Sequence, residues 1–249
     1  MQQFFTDEKI RIGKPYTLPD SVVFQLQRVL RYRGGETIRL VDAEGQVFFA
    51  RVEWKKRGGE AVAFESPDEH RELSVPVTLA LAPIKRDRWE WALQKTTELG
   101  VQKIVPLVTH YTNSPEHFTK NRREREERII REAAEQSERH RIPELCAAVC
   151  MEDFIRQGHA ESFRILCAER REKNVPTLSS LFSETDFHKY SAVEILIGPE
   201  GGFTDEEVET AVESGVQAVS LGPRILRAET AAMLACGMIA QHLEAVMLK

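Results

Sequence analysis

VEILIGPEGGFTDEEVE, residues 193–209, carries three structural signals in one short stretch. Its opening run, 193–198, is apolar and short, as expected of a strand inside a parallel sheet. Gly198, Gly201 and Gly202, stiffened by Pro199, then make a loop whose backbone a ligand can approach closely. Thr204 with Glu207 three residues later is a capping box, which opens a helix after Phe203. In open α/β sheets ligands bind beyond the carboxyl ends of strands, and this loop lies there.

The same grammar extends outward. Short runs rich in Val, Ile and Leu at 75–82, 103–108, 163–168 and 216–221 alternate with helical patterns at 87–99, stopped by Gly100, and at 120–139, a charged helix with Glu124/Arg128 and Glu127/Arg131 spacings. Such alternation implies an α/β fold with a mostly parallel sheet covered by helices on both faces. The run at 216–221 leads into a second G-P loop, LGPRILRAET, at 221–230. There is no GxGxxG opening a strand-turn-helix, no GxxxxGK[ST], no HExxH and no GxSxG, which removes the usual dinucleotide, P-loop, metalloprotease and hydrolase readings.

The first seventy residues have a different texture. Period-two segments at 36–42, 46–54 and 61–65, joined by glycine-bearing turns, predict short antiparallel strands. A helix precedes them, with Val22, Leu26, Val29 and Leu30 on one face behind Asp20 or Ser21 as N-cap. The polar stretch at 66–74 is the candidate linker, so domains are expected at 1–70 and 71–249. The net charge of −5 conceals an uneven distribution: between Lys9 and Arg57 eleven Lys/Arg face five Asp/Glu. A basic module on an acidic body is the pattern expected when one part grips phosphates.

Four cysteines without a CxxC pair predict reduced thiols, and Cys146 with Cys150 alone cannot make a zinc site, so no metal is expected. The uncharged run at 230–243 is shorter than a membrane span, and no basic-then-apolar leader is present, which predicts a cytoplasmic address.

IGPEGGFTDEEVE (197–209) and LGPRILRAETA (221–231), together with QKTTELGV (94–101), AAEQSERHRIPEL (133–145) and RVLRYRGGE (28–36), closely resemble the signature segments of the RsmE family, ribosomal RNA small subunit methyltransferase E, in the SPOUT superfamily. The resemblance spans nearly the whole chain. It implies a SPOUT-type parallel sheet with a trefoil knot, a small N-terminal PUA-like β-barrel that binds RNA, S-adenosylmethionine as cofactor, and a homodimer. The implied reaction is methylation of uridine N3 in 16S ribosomal RNA, near the decoding region. Two other readings stay open: a non-catalytic RNA-binding protein with a vestigial pocket, and the same chemistry on another ribosomal or transfer RNA uridine. One departure stands out, since Glu138 occupies the place of a glycine that the family commonly has.

Under this resemblance Gly198, Pro199, Glu200, Gly201, Leu221, Gly222, Ile225, Leu226 and Arg227 surround the cofactor, with Leu166 and Cys167 as a third wall. N3 methylation requires that uracil lose a proton and pass through an anion. Arg227, always protonated and rich in donors, suits the anion, and Glu200 or Glu229 suits the proton. Arg28, Arg31, Arg33, Lys55, Lys56, Arg57 and Arg139 are the expected RNA contacts. The last helix, 230–248, is apolar nearly all round, with Val246 and Met247 among its apolar residues and Ala235, Gly237 and Ala240 as small ones, which predicts a partner subunit.

Overall fold

Alternation in the first seventy residues becomes a five-stranded sheet. In the computed structural model, which describes residues 1–112, 120–158, 161–168 and 175–247, β1 (Gln3–Phe5), β2 (Pro15–Thr17), β3 (Thr37–Val41), β4 (Val47–Trp54) and β5 (Gly59–Glu65) lie in the order β1-β3-β4-β5-β2. β3, β4 and β5 are antiparallel neighbours, as their turn chemistry requires, whereas β1 joins β3 in parallel. Ile38, Leu40, Ala50, Val52, Ala61 and Ala63 close the core with Leu26. These strands belong to a compact unit made of Met1–Glu72 together with Ala134–Arg141. Thus the expected boundary at 70/71 lies two residues before the one observed, and Ala134–Arg141, expected in the second domain, returns to the first.

The helix before β3 differs from expectation. α1 (Asp20–Phe24) is capped by Pro19, without a side-chain cap bond, rather than by Asp20 or Ser21, and it continues as a π-turn at Gln25–Val29. Leu30 N–H donates to Gln25 O, a wider ring that shifts every later side chain around the axis. Leu26 therefore stays buried, whereas Val29 and Leu30 turn outward.

The polar stretch at 66–74 is anchored. Arg39, 3% exposed, donates through Nη1 to Glu69 at 2.9 Å and through Nε to Gln3 at 3.1 Å. Gln3 Nε2 in turn donates to the Arg139 carbonyl at 2.7 Å. Arg139, 2% exposed, holds Glu72, whose carboxylate also accepts His140 N–H at 2.9 Å. Glu138 has φ +55, in the left-handed region where glycine is favoured, and its carboxylate reaches Arg71 at 3.0 Å and Arg39 at 3.8 Å. A side chain at this position thus supplies ion pairs that a glycine could not make.

The second unit, Leu73–Ala133 and Ile142–Lys249, is built on a seven-stranded sheet. β6 (Val77–Leu81), β7 (Lys103–Val108), β8 (Glu144–Leu145), β9 (Val149–Cys150), β10 (Ser162–Cys167), β11 (Ala192–Ile197) and β12 (Gln217–Val219) run in the order β12-β10-β11-β6-β7-β8, with β9 beside the end of β7. Every pairing is parallel. Val77, Leu79, Ile165, Val193 and Ile195 point into one apolar layer, and Ala80, Leu107, Leu166 and Leu196 into the other, as alternation in a sheet covered on both faces demands.

Helices α2 (Arg86–Glu98), α3 (Lys120–Gln136), α4 (Met151–Gln157), α5 (Leu178–Glu184), α6 (Asp205–Glu213) and α7 (Ala228–Met247) cover this sheet. The α3 charges pair as Arg122–Glu126 and Arg123–Glu127. In α7, Ala232, Ala235, Cys236, Ile239, Ala240 and Leu243 are buried within the chain's own core. Gly237, expected to admit a partner backbone, instead faces Leu99, whose methyl carbons lie 3.8 Å from a Cβ placed there. Leu248 and the side chains of Val246 and Met247 lie outside the described residues.

Arg139→Ala leaves the Glu72 carboxylate without its guanidinium. Urea unfolding is expected to show a loss on the order of 3 kcal/mol, against no more than about 0.5 kcal/mol for Arg28→Ala on the surface. The hydrogen bond from Arg39 outweighs burial and holds the Glu69 carboxyl below its ordinary 4.5. Because the folded value is the depressed one, this contribution is present above pH 4.5 and is lost as the pH falls through the depressed value. Acid titration of the Glu69→Gln variant should lack that component.

Candidate functional site

Three strand ends meet at one place in the second unit. β10 pairs with β11 on one side and β12 on the other, so the strand ends at Cys167, Ile197 and Val219 and the described residues next to them share one end of the sheet. They enclose a cavity of about 650 Å³, lined by Cys167, Ala168 and Val175, by 197–203, and by 220–222 and 224–228, with Asp205, Val208, Glu209, Ala218 and Ala231. Of the residues assigned to the cofactor from sequence, Cys167, Gly198, Pro199, Glu200, Gly201, Leu221, Gly222, Ile225, Leu226 and Arg227 all line it.

Leu166 does not. Alternation along β10 turns its side chain into the opposite layer with Leu107 and Leu196, while Cys167 faces the cavity. Burial pushes the Cys167 thiol up to about 12, which disfavours its thiolate form.

Two glycines of the first loop are required by close contacts. A Cβ at Gly198 would lie 3.2 Å from the Gly202 carbonyl carbon and from the Phe203 ring, and one at Gly201 would lie 3.1 Å from Tyr111. The loop therefore folds upon itself, closed by Gly202 N–H donating to Pro199 O at 2.9 Å. The expected capping box is present, with Glu207 N–H on Thr204 Oγ1 at 3.1 Å and Thr204 N–H on Glu207 Oε2 at 2.8 Å. Glu207 Oε1 also accepts His110 N–H at 2.7 Å, tying the turn after β7 to the site. In the second loop Gly222 has φ +116, and a Cβ there would meet nothing within 4 Å. Backbone conformation, rather than contact, requires glycine at that position.

Arg227 and Glu200 are exposed at the cavity wall. Glu229, in the first turn of α7, is not part of the lining: the residue is 9% exposed, and its Oε2 has no hydrogen-bond partner among the described residues. Between the two carboxylates stands Arg88 of α2, 3.6 Å from Glu200 Oε1 through Nη1 and 3.6 Å from Glu229 Oε1 through Nε. Sequence reasoning missed Arg88, because only the pairing of β6 with β11 brings the α2 start to these loops.

In the first unit, Arg28, Arg31, Arg33, Lys56 and Arg57 are exposed. Trp54 gathers two of their segments: positions for a Cβ on Gly34 and on Gly59 lie 3.1 Å and 2.7 Å from its ring, so the 31–36 loop and the 55–58 turn flank one indole. Lys55 is partly engaged at 3.0 Å by Glu60, whose hydrogen bond raises the ammonium above its usual range. Arg139 is withdrawn as an RNA contact, since its guanidinium is buried against Glu72.

The model of the RNA methyltransferase domain family matches residues 71–240. Ribosomal RNA small subunit methyltransferase E of Synechocystis sp. is 37% identical over 229 residues, 92% of this chain and 73% of that protein. The Bacillus subtilis protein of the same name is 30% identical over 254 residues, covering 98% of each. The chain belongs to the ribosomal RNA small subunit methyltransferase E family. A crystal structure of the family member from Neisseria gonorrhoeae, bound to S-adenosylmethionine, superposes with a TM-score of 0.85 at 30% identity over 97% of each chain. S-adenosylmethionine is the cofactor of this family. The cavity suits it in size, in its apolar wall of Ile197, Phe203 and Leu226, and in its glycine-bearing backbone.

Gly222→Ala forces a side chain into a backbone conformation that costs on the order of 1–3 kcal/mol. Thermal melts should fall, and calorimetry should show weaker S-adenosylmethionine binding, as they should for Gly198→Ala through the Phe203 contact. Unchanged melts and unchanged affinity in both variants would refute this account of the loops.

Proposed function

We propose that this protein methylates N3 of a uridine in 16S ribosomal RNA, near the decoding region, using S-adenosylmethionine bound in the cavity at the ends of β10, β11 and β12. The observation that carries the reading is the placement of Arg227 and Glu200 on the wall of that cavity, with Glu229 outside the lining and linked to Glu200 through Arg88. The bound cofactor supplies an electrophilic methyl group. The chain's own residues must then deal with charge. N3 carries a proton that has to leave, and the resulting uracil anion spreads its charge over two carbonyl oxygens. Arg227 offers fixed donors to those oxygens and remains protonated throughout. Glu200 or Glu229 receives the proton.

The basic first unit fits the role of RNA grip. Arg31 and Arg33 on one segment, and Lys56 and Arg57 on the other, are exposed cations on the two segments that pack against Trp54. This reading includes a PUA-like barrel for the first unit, a SPOUT trefoil knot for the second, a cytoplasmic location beside ribosomal RNA, and a homodimer. Met233, Leu234 and Met238 of α7 are only partly covered and support the last of these. Among the described residues no cluster of three or more His, Cys, Asp or Glu could hold a metal ion. No described helix is long and apolar enough to cross a membrane.

Methyl transfer from labelled cofactor to small-subunit particles and to naked 16S RNA, followed by mapping of the modified base, tests the reading. N3-methyluridine is the expected product. RNA binding without transfer would instead support a non-catalytic role. Arg227→Ala should keep cofactor affinity within a few-fold while single-turnover transfer drops by ~10²–10³. Neutralising Lys55, Lys56 and Arg57 together should flatten the salt dependence of RNA binding and leave cofactor affinity unchanged. A salt slope equal to that of the parent protein would place the RNA elsewhere.

A further inference from the structure

We propose that Arg88 is a positioning residue for methyl transfer: its guanidinium ties the Glu200 carboxylate to the Glu229 carboxylate and so couples the two loops that wall the cavity. The inference rests on the reading that transfer takes place in this cavity. Three observations carry it.

First, Glu229 has a side chain only 11% exposed, and Arg88 is the one cation within 4 Å of it among the described residues. A carboxylate that deep needs a counter-charge, and removing the partner leaves it uncompensated. Second, both contacts measure 3.6 Å, longer than a hydrogen bond, so Arg88 acts on the two carboxylates through charge. Third, the cation and the two anions come from three different parts of the fold. Arg88 stands in the first turn of α2, a helix anchored by buried Trp89, Ala92, Leu93 and Thr96. Glu200 stands on the loop after β11, and Glu229 begins α7. A well-anchored helix thus holds a charge between the loop after β11 and the start of α7. Glu229, with one oxygen unpartnered, is kept as an acceptor at a fixed place.

Because the contact is one of charge, Arg88→Lys should preserve it, whereas Arg88→Met keeps the stem and removes the charge. The first measurement is a double-mutant cycle on urea unfolding with Arg88→Met and Glu229→Gln, without RNA or cofactor. The Arg88 substitution is expected to shift the midpoint less when Glu229 is already neutral, and additive shifts would overturn the coupling. The second measurement is methyl transfer on whichever RNA the parent protein modifies. Arg88→Met should lower kcat by about tenfold or more, with the RNA KM and the calorimetric cofactor Kd within about twofold, and Arg88→Lys should recover most of the loss. Unchanged kcat in Arg88→Met, or a loss that Lys fails to repair, would overturn the assignment. If the parent protein modified no RNA, the proposed function would fall, and the unfolding cycle would still decide whether Arg88 holds Glu229.

Discussion

Hydrogen bonding of β10 to β11 along one edge and to β12 along the other is the constraint on which the site depends. Parallel pairing aligns the carboxyl ends of neighbouring strands. The two G-P loops, separated by more than twenty positions in the chain, thereby become opposite walls of one cavity. β6 extends the same logic by one strand, since its register beside β11 delivers the start of α2, and Arg88 with it, to the same end of the sheet. An antiparallel pairing at any of these three edges would send one wall to the far end of the molecule.

Much of this was legible in the sequence wherever a local rule determines the outcome. The Val/Ile/Leu runs at 75–82, 103–108, 163–168, 193–198 and 216–221 coincide with β6, β7, β10, β11 and β12, because a strand covered on both faces can hardly be anything but a short apolar run. The Thr204–Glu207 box was readable for a similar reason: both of its bonds close within four residues. Leu166 was misassigned although the information lay in the alternation of β10, where adjacent residues cannot share a face.

Other features had no local signature. The π-turn at Gln25–Val29 differs from an α-helix by one residue per ring, and nothing in its composition marks it. β1 and β2 are three residues each, too short for a period to show. The return of Ala134–Arg141 to the first unit depends on Gln3, Arg39 and Glu72, residues that are distant in the chain and polar, so hydrophobic patterning is blind to them. Arg139 illustrates the cost of that blindness. A basic residue in a charged stretch reads as a surface contact until the carboxylate that holds it is located.

Cys167 adds a chemical consequence to its place on the cavity wall. Sulfur is among the best acceptors for a methyl group, so a thiolate lining the pocket of an alkylating cofactor would invite self-methylation and inactivation. Burial raises the Cys167 thiol above the ordinary cysteine range, which disfavours the reactive anion at that place. The same partial burial that makes Cys167 an apolar part of the wall thus also lowers the nucleophilicity of a sulfur beside the cavity.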